Sequence, residues 1–178
     1  TEDKRLWSAW RKKACNDKMT VRCGYWEIPG RPKVVLVDYT GYMDDKDAIY
    51  GELWNDYGVD SLHGYGDYDD SMIFGYAVGK AIESFYNTNI KKGSNVVVQA
   101  HEWQSGNAAL YVKKHLPAVG TIFTTHATSI GRSIASNGKP LYDYFDGYNG
   151  DQMAEELNVQ SKQSVEKNTA LNVDCFTT

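Results

Sequence analysis

The apolar positions of this chain alternate in its first part, space out helically in its middle and then fall into short β-branched runs. Met19 to Trp26 alternates weakly and is rich in β formers, Pro29-Gly30-Arg31-Pro32 turns, and Lys33 to Tyr39 follows as a second strand. The two read as adjacent strands joined by a tight connection. From Asp44 to Tyr57, the spacing of Ile49, Leu53, Trp54 and Tyr57 is helical, acidic residues open the segment as the helix dipole prefers, and Gly58 ends it. Asp69 and Asp70 then precede a broad apolar stripe, Met72-Ile73-Phe74, Tyr76-Ala77-Val78, Ala81-Ile82 and Phe85, which predicts a well-buried helix. Lys91-Lys92-Gly93-Ser94 is a turn.

From Asn95 onward the pattern is more regular. Strand Val96 to Ala100, helix Gln104 to His115, strand Val119 to Thr125, a loop, helix Asp151 to Leu171 and strand Val173 to Thr177 make a β-α-β-α-β series. Alternation of this kind predicts an α/β fold with a mainly parallel sheet, right-handed crossovers and helices on both faces, a three-layer domain. The segment Gly131 to Gly150, with Gly, Asn, Pro and many aromatics, reads as a long functional or mobile loop.

Two of the predicted strands end in a histidine. Val96-Val97-Val98-Gln99-Ala100 runs into His101-Glu102-Trp103, and Thr121-Ile122-Phe123-Thr124-Thr125 runs into His126-Ala127-Thr128. In open α/β folds ligands bind beyond the carboxyl ends of the strands, so neighbouring strands would deliver both imidazoles to one rim. Two readings of each stand on spacing alone. His101 is either a neutral imidazole that hydrogen-bonds a polar ligand, with Ser105-Gly106 offering helix amides to an anion or sugar hydroxyl, or a structural residue capping the helix or paired with Glu102. His126 lies with Thr124, Thr125 and Thr128 in either a binding rim or an internally satisfied polar turn.

Composition narrows the rest. With 178 residues, 42% hydrophobic and 24% charged, the chain fits one globular domain with a real core. A net charge of -4 without a dense basic patch argues against nucleic acid as a partner. No apolar run approaches the ~18 residues of a membrane span and the first twenty residues hold no signal-peptide core, which points to no membrane partner and a cytoplasmic protein. Cys15, Cys23 and Cys175, odd in number and scattered, fit reduced thiols. A chain that begins on Thr1 and stops just after a short β-prone run reads as a fragment.

Other constellations are weaker. Asp67, Asp69 and Asp70 lack the downstream Glu and the Gly of a calcium loop and read as a helix start. Arg132 after Gly131 is either a phosphate contact or a surface arginine, and His63 and His115 read as loop and helix-surface residues. The sequence holds no Gly-x-Gly-x-x-Gly, phosphate-loop Lys, Gly-x-Ser-x-Gly elbow or metal-spaced His pair, so no hydrolase triad or metal site is expected.

His101-Glu102-Trp103-x-x-Gly106, with Phe123-Thr124-Thr125-His126-Ala127-Thr128-x-x-Gly131-Arg132, resembles the N-terminal domain of glycogen synthases of the animal and fungal type. Gly51-Glu52-Leu53-Trp54, Asp70-x-x-x-Phe74-Gly75 and the terminal Phe176-Thr177-Thr178 add to the likeness, which runs from about Val21 to Thr178. The Tyr-rich loop Pro140 to Asn149 is similar to that of bacterial members of the branch. The resemblance implies a partial Rossmann-like domain, residues 1–178, of a two-domain GT-B enzyme whose C-terminal donor-binding domain lies elsewhere. It implies a retaining glucosyltransferase that adds glucose from UDP-glucose to the non-reducing end of an α-1,4-glucan, with glycogen as its macromolecular partner and no cofactor or metal. His101 is then the catalytic residue beside the transferred glucose, and Glu102, Trp103, Thr125, His126 and Arg132 are substrate-binding. On this reading the isolated chain is inactive. Two rivals are a glucan-binding or regulatory module, with Trp103, Tyr142, Tyr144, Phe145 and Tyr148 stacking on sugar rings, and a transferase for a different nucleotide sugar on the same fold.

Overall fold

The computed structural model describes residues 2–16 and 19–178; Thr1, on which part of the fragment reading rests, lies outside them. The expected first strand pair is present as β1 (Thr20–Tyr25) and β2 (Lys33–Asp38), an antiparallel hairpin that forms a sheet of its own. Its connection passes through Gly30 and Arg31, both at positive φ (86° and 41°). Before it lies a helix the apolar pattern did not signal, α1 (Glu2–Asn16). Trp10 and Ala14 of α1 are buried with Met19 and Ala81, and Trp10 donates its indole N–H to Ser84 Oγ at 3.2 Å.

The middle helices follow the reading closely. A short 3-10 turn leads into α2 (Lys46–Tyr57), which buries Ile49 and Leu53 and ends at Gly58 in the left-handed conformation, φ 68°. Helix α3 (Tyr68–Asn89) starts beside Asp67 with Asp69 and Asp70 in its first turn, as the dipole prefers. Its apolar stripe packs on α4 (Gly106–His115). Asn107, 2% exposed, donates from Nδ2 to Met72 O at 2.6 Å and fixes the register of the two helices.

The second sheet is parallel, with order β3 (Val97–His101), β4 (Gly120–Thr124), β5 (Cys175–Thr177). Its in-register rows alternate in fate. Ala100 and Phe123 face the helices and are buried with Ala109 of α4, while Val98 packs toward Val112, Ile82 and Tyr86. The opposite face carries Val97, 61% exposed, with Gln99 and His101, also exposed. The expected three layers are therefore corrected to two among the described residues: helices cover one face of the sheet only, because only one of the two alternating sets of side chains meets α3, α4 and the end of the last helix.

Two corrections fall in the second half. The segment expected as one helix from Asp151 to Leu171 is broken into α6 (Gly150–Glu156) and α7 (Gln160–Asn172), with Asn158 between them at φ 55°. The long loop starts later than expected, because Thr128 caps α5 (Ser129–Ser136) by accepting from Gly131 N at 3.1 Å. In the remainder Tyr142, Tyr144 and Phe145 are exposed, while Tyr148 is half-buried and donates its hydroxyl to Pro140 O at 2.9 Å. Strand β5 is held by Asp174, whose Oδ2 accepts from Thr121 N at 2.8 Å and Thr121 Oγ1 at 2.9 Å, with Lys113 paired to Oδ1. These bonds hold its carboxyl down at about 2.

Helix α3 comes within backbone reach of α4 at Gly75, where a β-carbon would lie 2.9 Å from Asn107 Cβ and 3.1 Å from the backbone nitrogen of Ala108. Backbone cannot give way as a flexible side-chain tip can. Gly75→Ala is expected to lose about 1–3 kcal/mol through overpacking, more than the ~1 kcal/mol of helix propensity it gains, and to lower the urea midpoint. An unchanged or higher midpoint would mean that the two helices sit further apart.

Candidate functional site

The parallel register sets His101 beside Thr124, the last residues of β3 and β4, so the two histidines leave the sheet at one level. Their rings lie nearly parallel, 7° apart with centroids at 5.4 Å, and His101 Nδ1 stands 3.2 Å from His126 Nε2. One ring nitrogen donates and the other accepts, so this bond requires at least one ring without a proton at the shared position. Both rings are exposed.

Glu102 makes this pairing possible. Its backbone sits at φ 63°, ψ 162°, a region that is otherwise almost a glycine preserve. There its N–H donates to Thr124 O at 2.8 Å, and its Oε1 accepts from His126 N at 2.9 Å. The side chain thus crosses from the end of β3 to the chain leaving β4. Ser105 N donates to Glu102 O at 3.0 Å, and Ser105 Oγ donates to His101 O, closing a tight 3-10 turn at Trp103–Ser105.

Below the histidines a polar ladder runs across the open sheet face. Gln99 Nε2 donates to Thr124 Oγ1 at 3.0 Å, and Thr124 Oγ1 meets Thr177 Oγ1 at 2.7 Å. Thr125, expected in the rim, is 1% exposed and donates its N–H to Thr177 O at 3.0 Å. Trp103, also expected there, is 7% exposed and stacks on Tyr68 with ring centroids 5.9 Å apart and planes at 10°. Trp103 is turned inward against Tyr68 of α3 while still walling the polar cavity beside the histidines, and Thr125 is held beneath the rim by its bond to β5. The Ser105 and Gly106 amides are not free for an anion either, since they donate to Glu102 O and Trp103 O, and Gly106 packs so closely on α7 that a β-carbon there would meet Val165 Cγ1 at 2.9 Å.

Beside the pair opens a polar cavity of about 440 Å³, with Glu102 as the shared wall. Arg132, Asp67, Tyr65, Trp103 and Lys162 complete its sides. Lys162 pairs with Asp67 at 2.6 Å and lies over the Trp103 and Tyr65 rings at 4.9 and 5.4 Å. The structure therefore brings His101, Glu102, His126 and Arg132 to one rim, with Trp103 in its wall and Thr125 beneath. His63 pairs with Asp60 at 3.0 Å and His115 stacks on Tyr111 at 4.1 Å, both away from it. Among the described residues no group of three or more His, Cys, Asp or Glu is arranged to hold a metal ion, and no helix is long and apolar enough to cross a membrane.

The sequence reading missed Glu166. It sits on the inward stripe of α7 with Ser161, Val165 and Thr169, 6% exposed, and its Oε2 accepts from Ser129 N, the first amide of α5, at 2.8 Å. Burial pushes its carboxyl up to about 7, with the Glu102 charge adding to the rise and the Ser129 bond and Arg132 opposing it. The missed signal was a carboxylate adjoining Val165 within the run of buried positions of a predicted helix.

An open α/β domain with a polar rim at the carboxyl ends of parallel strands is the architecture of a ligand-binding or catalytic domain. The glycogen synthase family model matches residues 4–178, and the chain belongs to that family. It is 31% identical over 158 residues to the liver glycogen [starch] synthase of Rattus norvegicus, covering 89% of this chain and 22% of the relative. It is 30% identical over 158 residues to the glycogen [starch] synthase of Dictyostelium discoideum, covering 89% of this chain and 17% of the relative. Glycogen [starch] synthase isoform 2 of Saccharomyces cerevisiae is 30% identical over 156 residues, 87% of this chain and 22% of the relative. The chain thus spans about a fifth of the length of these proteins.

The Glu166 carboxyl predicts a pH dependence of stability. Its folded value lies above the ordinary 4.5, so the folded state holds a proton that the unfolded chain releases. That stabilisation is complete below about pH 4.5 and is lost as pH rises through 7. Glu166→Gln mimics the protonated form and keeps an acceptor for Ser129. The variant is expected to match the parent below pH 4.5 and to exceed it above pH 7 by up to about 3 kcal/mol in chemical denaturation. A gap that does not widen with pH would show that the carboxylate is not a burden on the fold.

Proposed function

We propose that these residues form the acceptor-side domain of a retaining glucosyltransferase that moves glucose from UDP-glucose to the non-reducing end of an α-1,4-glucan. The paired histidines at the ends of β3 and β4 carry the reading, together with membership of the glycogen synthase family. As the donor's anomeric bond lengthens, positive charge grows on the sugar ring and negative charge on the departing diphosphate. A glycan hydroxyl oxygen then bonds to the anomeric carbon as the bond to the diphosphate oxygen breaks, and its proton passes to that departing oxygen. His101, exposed and held at a fixed distance from His126, offers a polar group to the sugar hydroxyls and stabilises the developing charge by position. His126 and Glu102 complete that side and Arg132 faces the same cavity, while Trp103 and Thr125 bind substrate only in the sense of forming the wall and floor.

In this proposal residues 1–178 are part of the N-terminal Rossmann-like domain of a two-domain GT-B protein, the donor's nucleotide binds a second domain, and no metal or cofactor takes part. The His101-Glu102-Trp103 and Thr124-Thr125-His126-Ala127-Thr128 motifs support placement in the animal and fungal type branch, and the Tyr-rich loop supports a bacterial member of it. A cytoplasmic location fits a nucleotide-sugar donor. The exposed Tyr142, Tyr144 and Phe145 favour a second reading, a glucan-binding module, which predicts that the isolated chain is retained by glycogen.

The test is glucose incorporation into glycogen from labelled UDP-glucose by the full-length protein that carries these residues. His101→Ala is expected to lower kcat/KM about 100- to 1,000-fold, the range for removing one group that stabilises transition-state charge. Because His101 is exposed, its thermal midpoint should hold. A full-length parent with no transfer activity, or a loss explained by unfolding, would overturn the proposal.

A further inference from the structure

Glu166 has no part in the reaction as described, yet it lies under the segment that carries His126 and Arg132. Spacing alone would pair it with Lys162, four residues earlier on the same face of α7. Lys162 instead reaches out to Asp67 and the rings of Tyr65 and Trp103. The buried carboxylate has Ser129 as its hydrogen-bonding neighbour, the amide donating to Oε2 at 2.8 Å and the hydroxyl beside it also favouring the charge. Thr169 Oγ1, on the same buried stripe of α7, has no partner. Two charged groups act on it, Arg132 from α5 favouring its charge and Glu102 from the rim opposing it.

We propose that Glu166 is a positioning residue of the site: as a carboxylate it anchors the first amide of α5, and so holds Arg132 and the His126–Thr128 segment against the cavity. The geometry gives it that leverage. Ser129 follows Thr128, the cap of α5, and Arg132 lies one turn further on with its N–H bonded to Thr128 O at 2.9 Å. Displacing Ser129 therefore moves the cap, and the cap carries both neighbours. A charged acceptor holds an amide at a helix start more strongly than a neutral one. Ionisation of this group near neutrality then couples the geometry of the rim to pH. The same charge that loosens the fold tightens the site.

This inference rests on the proposed transferase reading for its activity arm only. In the chain itself, the amide of His126 and the side-chain Nε of Arg132 are followed by NMR from pH 5 to 9, in the parent and in Glu166→Gln. The expected result is an inflection near pH 7 at Ser129 and Arg132 that disappears in the variant, with the His126 amide profile altered by the substitution. An inflection confined to Ser129, with His126 and Arg132 indifferent to the substitution, would overturn the proposal whatever the protein's activity. In the full-length protein Glu166→Gln should be more stable yet roughly tenfold lower in kcat/KM at pH 8, with a flattened acid limb. A variant that is more stable and equally active across the range would reduce Glu166 to a structural residue. Absence of transfer by the parent would remove the transferase reading and leave the NMR result to decide the inference.

Discussion

The rim depends on the backbone of Glu102. A residue with a β-carbon held at φ 63°, ψ 162° costs roughly 1–3 kcal/mol, and the chain accepts it at the one place where β3 must stop and turn inward. Two hydrogen bonds offset the strain. The backbone bond to Thr124 O extends the β3–β4 ladder one step past His101, and the carboxylate bond to His126 N ties down the chain that leaves β4. Parallel strands diverge freely beyond their last shared bond, so without this latch the two imidazoles would have no fixed relation. With it, they stand 3.2 Å apart at nitrogen without burial of either ring.

The latch is in turn supported by close packing behind it. Trp103 can follow Glu102 into the core because Tyr68 offers a parallel ring, and Gly106 lets α7 come to within contact of the start of α4. That approach brings Glu166 under α5. The rim is thus framed by one strained backbone and two carboxylates at different depths. The shallow one, Glu102, joins β3 to the chain beyond β4. The deep one, Glu166, joins α7 to α5, and the charge of Glu102 opposes its ionisation.

Much of this was legible in the sequence, for reasons that differ by element. The histidine-ended runs were readable because each is a short stretch rich in β-branched residues bounded by turn signals, and both fell within a residue or so of the expected ends. Gly58 and the acidic start of α3 were readable because they are local devices that need no tertiary partner. Helix α1 was not, since its pattern is interrupted by charge and, among its described side chains, Trp10 and Ala14 are buried with Trp7 packed beside them. The break at Asn158 escaped because periodicity continues across it, and only a left-handed residue in mid-run separates α6 from α7. At the site, motif likeness located the rim, but the inward turn of Trp103 and Thr125 and the placement of Glu166 depend on which neighbour covers them, which spacing does not encode.

The charges around the cavity also bear on what it can hold. Lys162 is already engaged by Asp67 and two aromatic faces, so it is a poor candidate for an incoming anion. Arg132 makes no ion pair with a described residue, but it stands in the fields of both Glu102 and Glu166. The wall is therefore close to charge balance, Asp67 and Glu102 against Arg132 and Lys162, with carboxylate oxygens and an aromatic surface as its chief offerings. Such a surface suits a neutral polyhydroxylated ring, whose hydroxyls both donate and accept, better than a diphosphate.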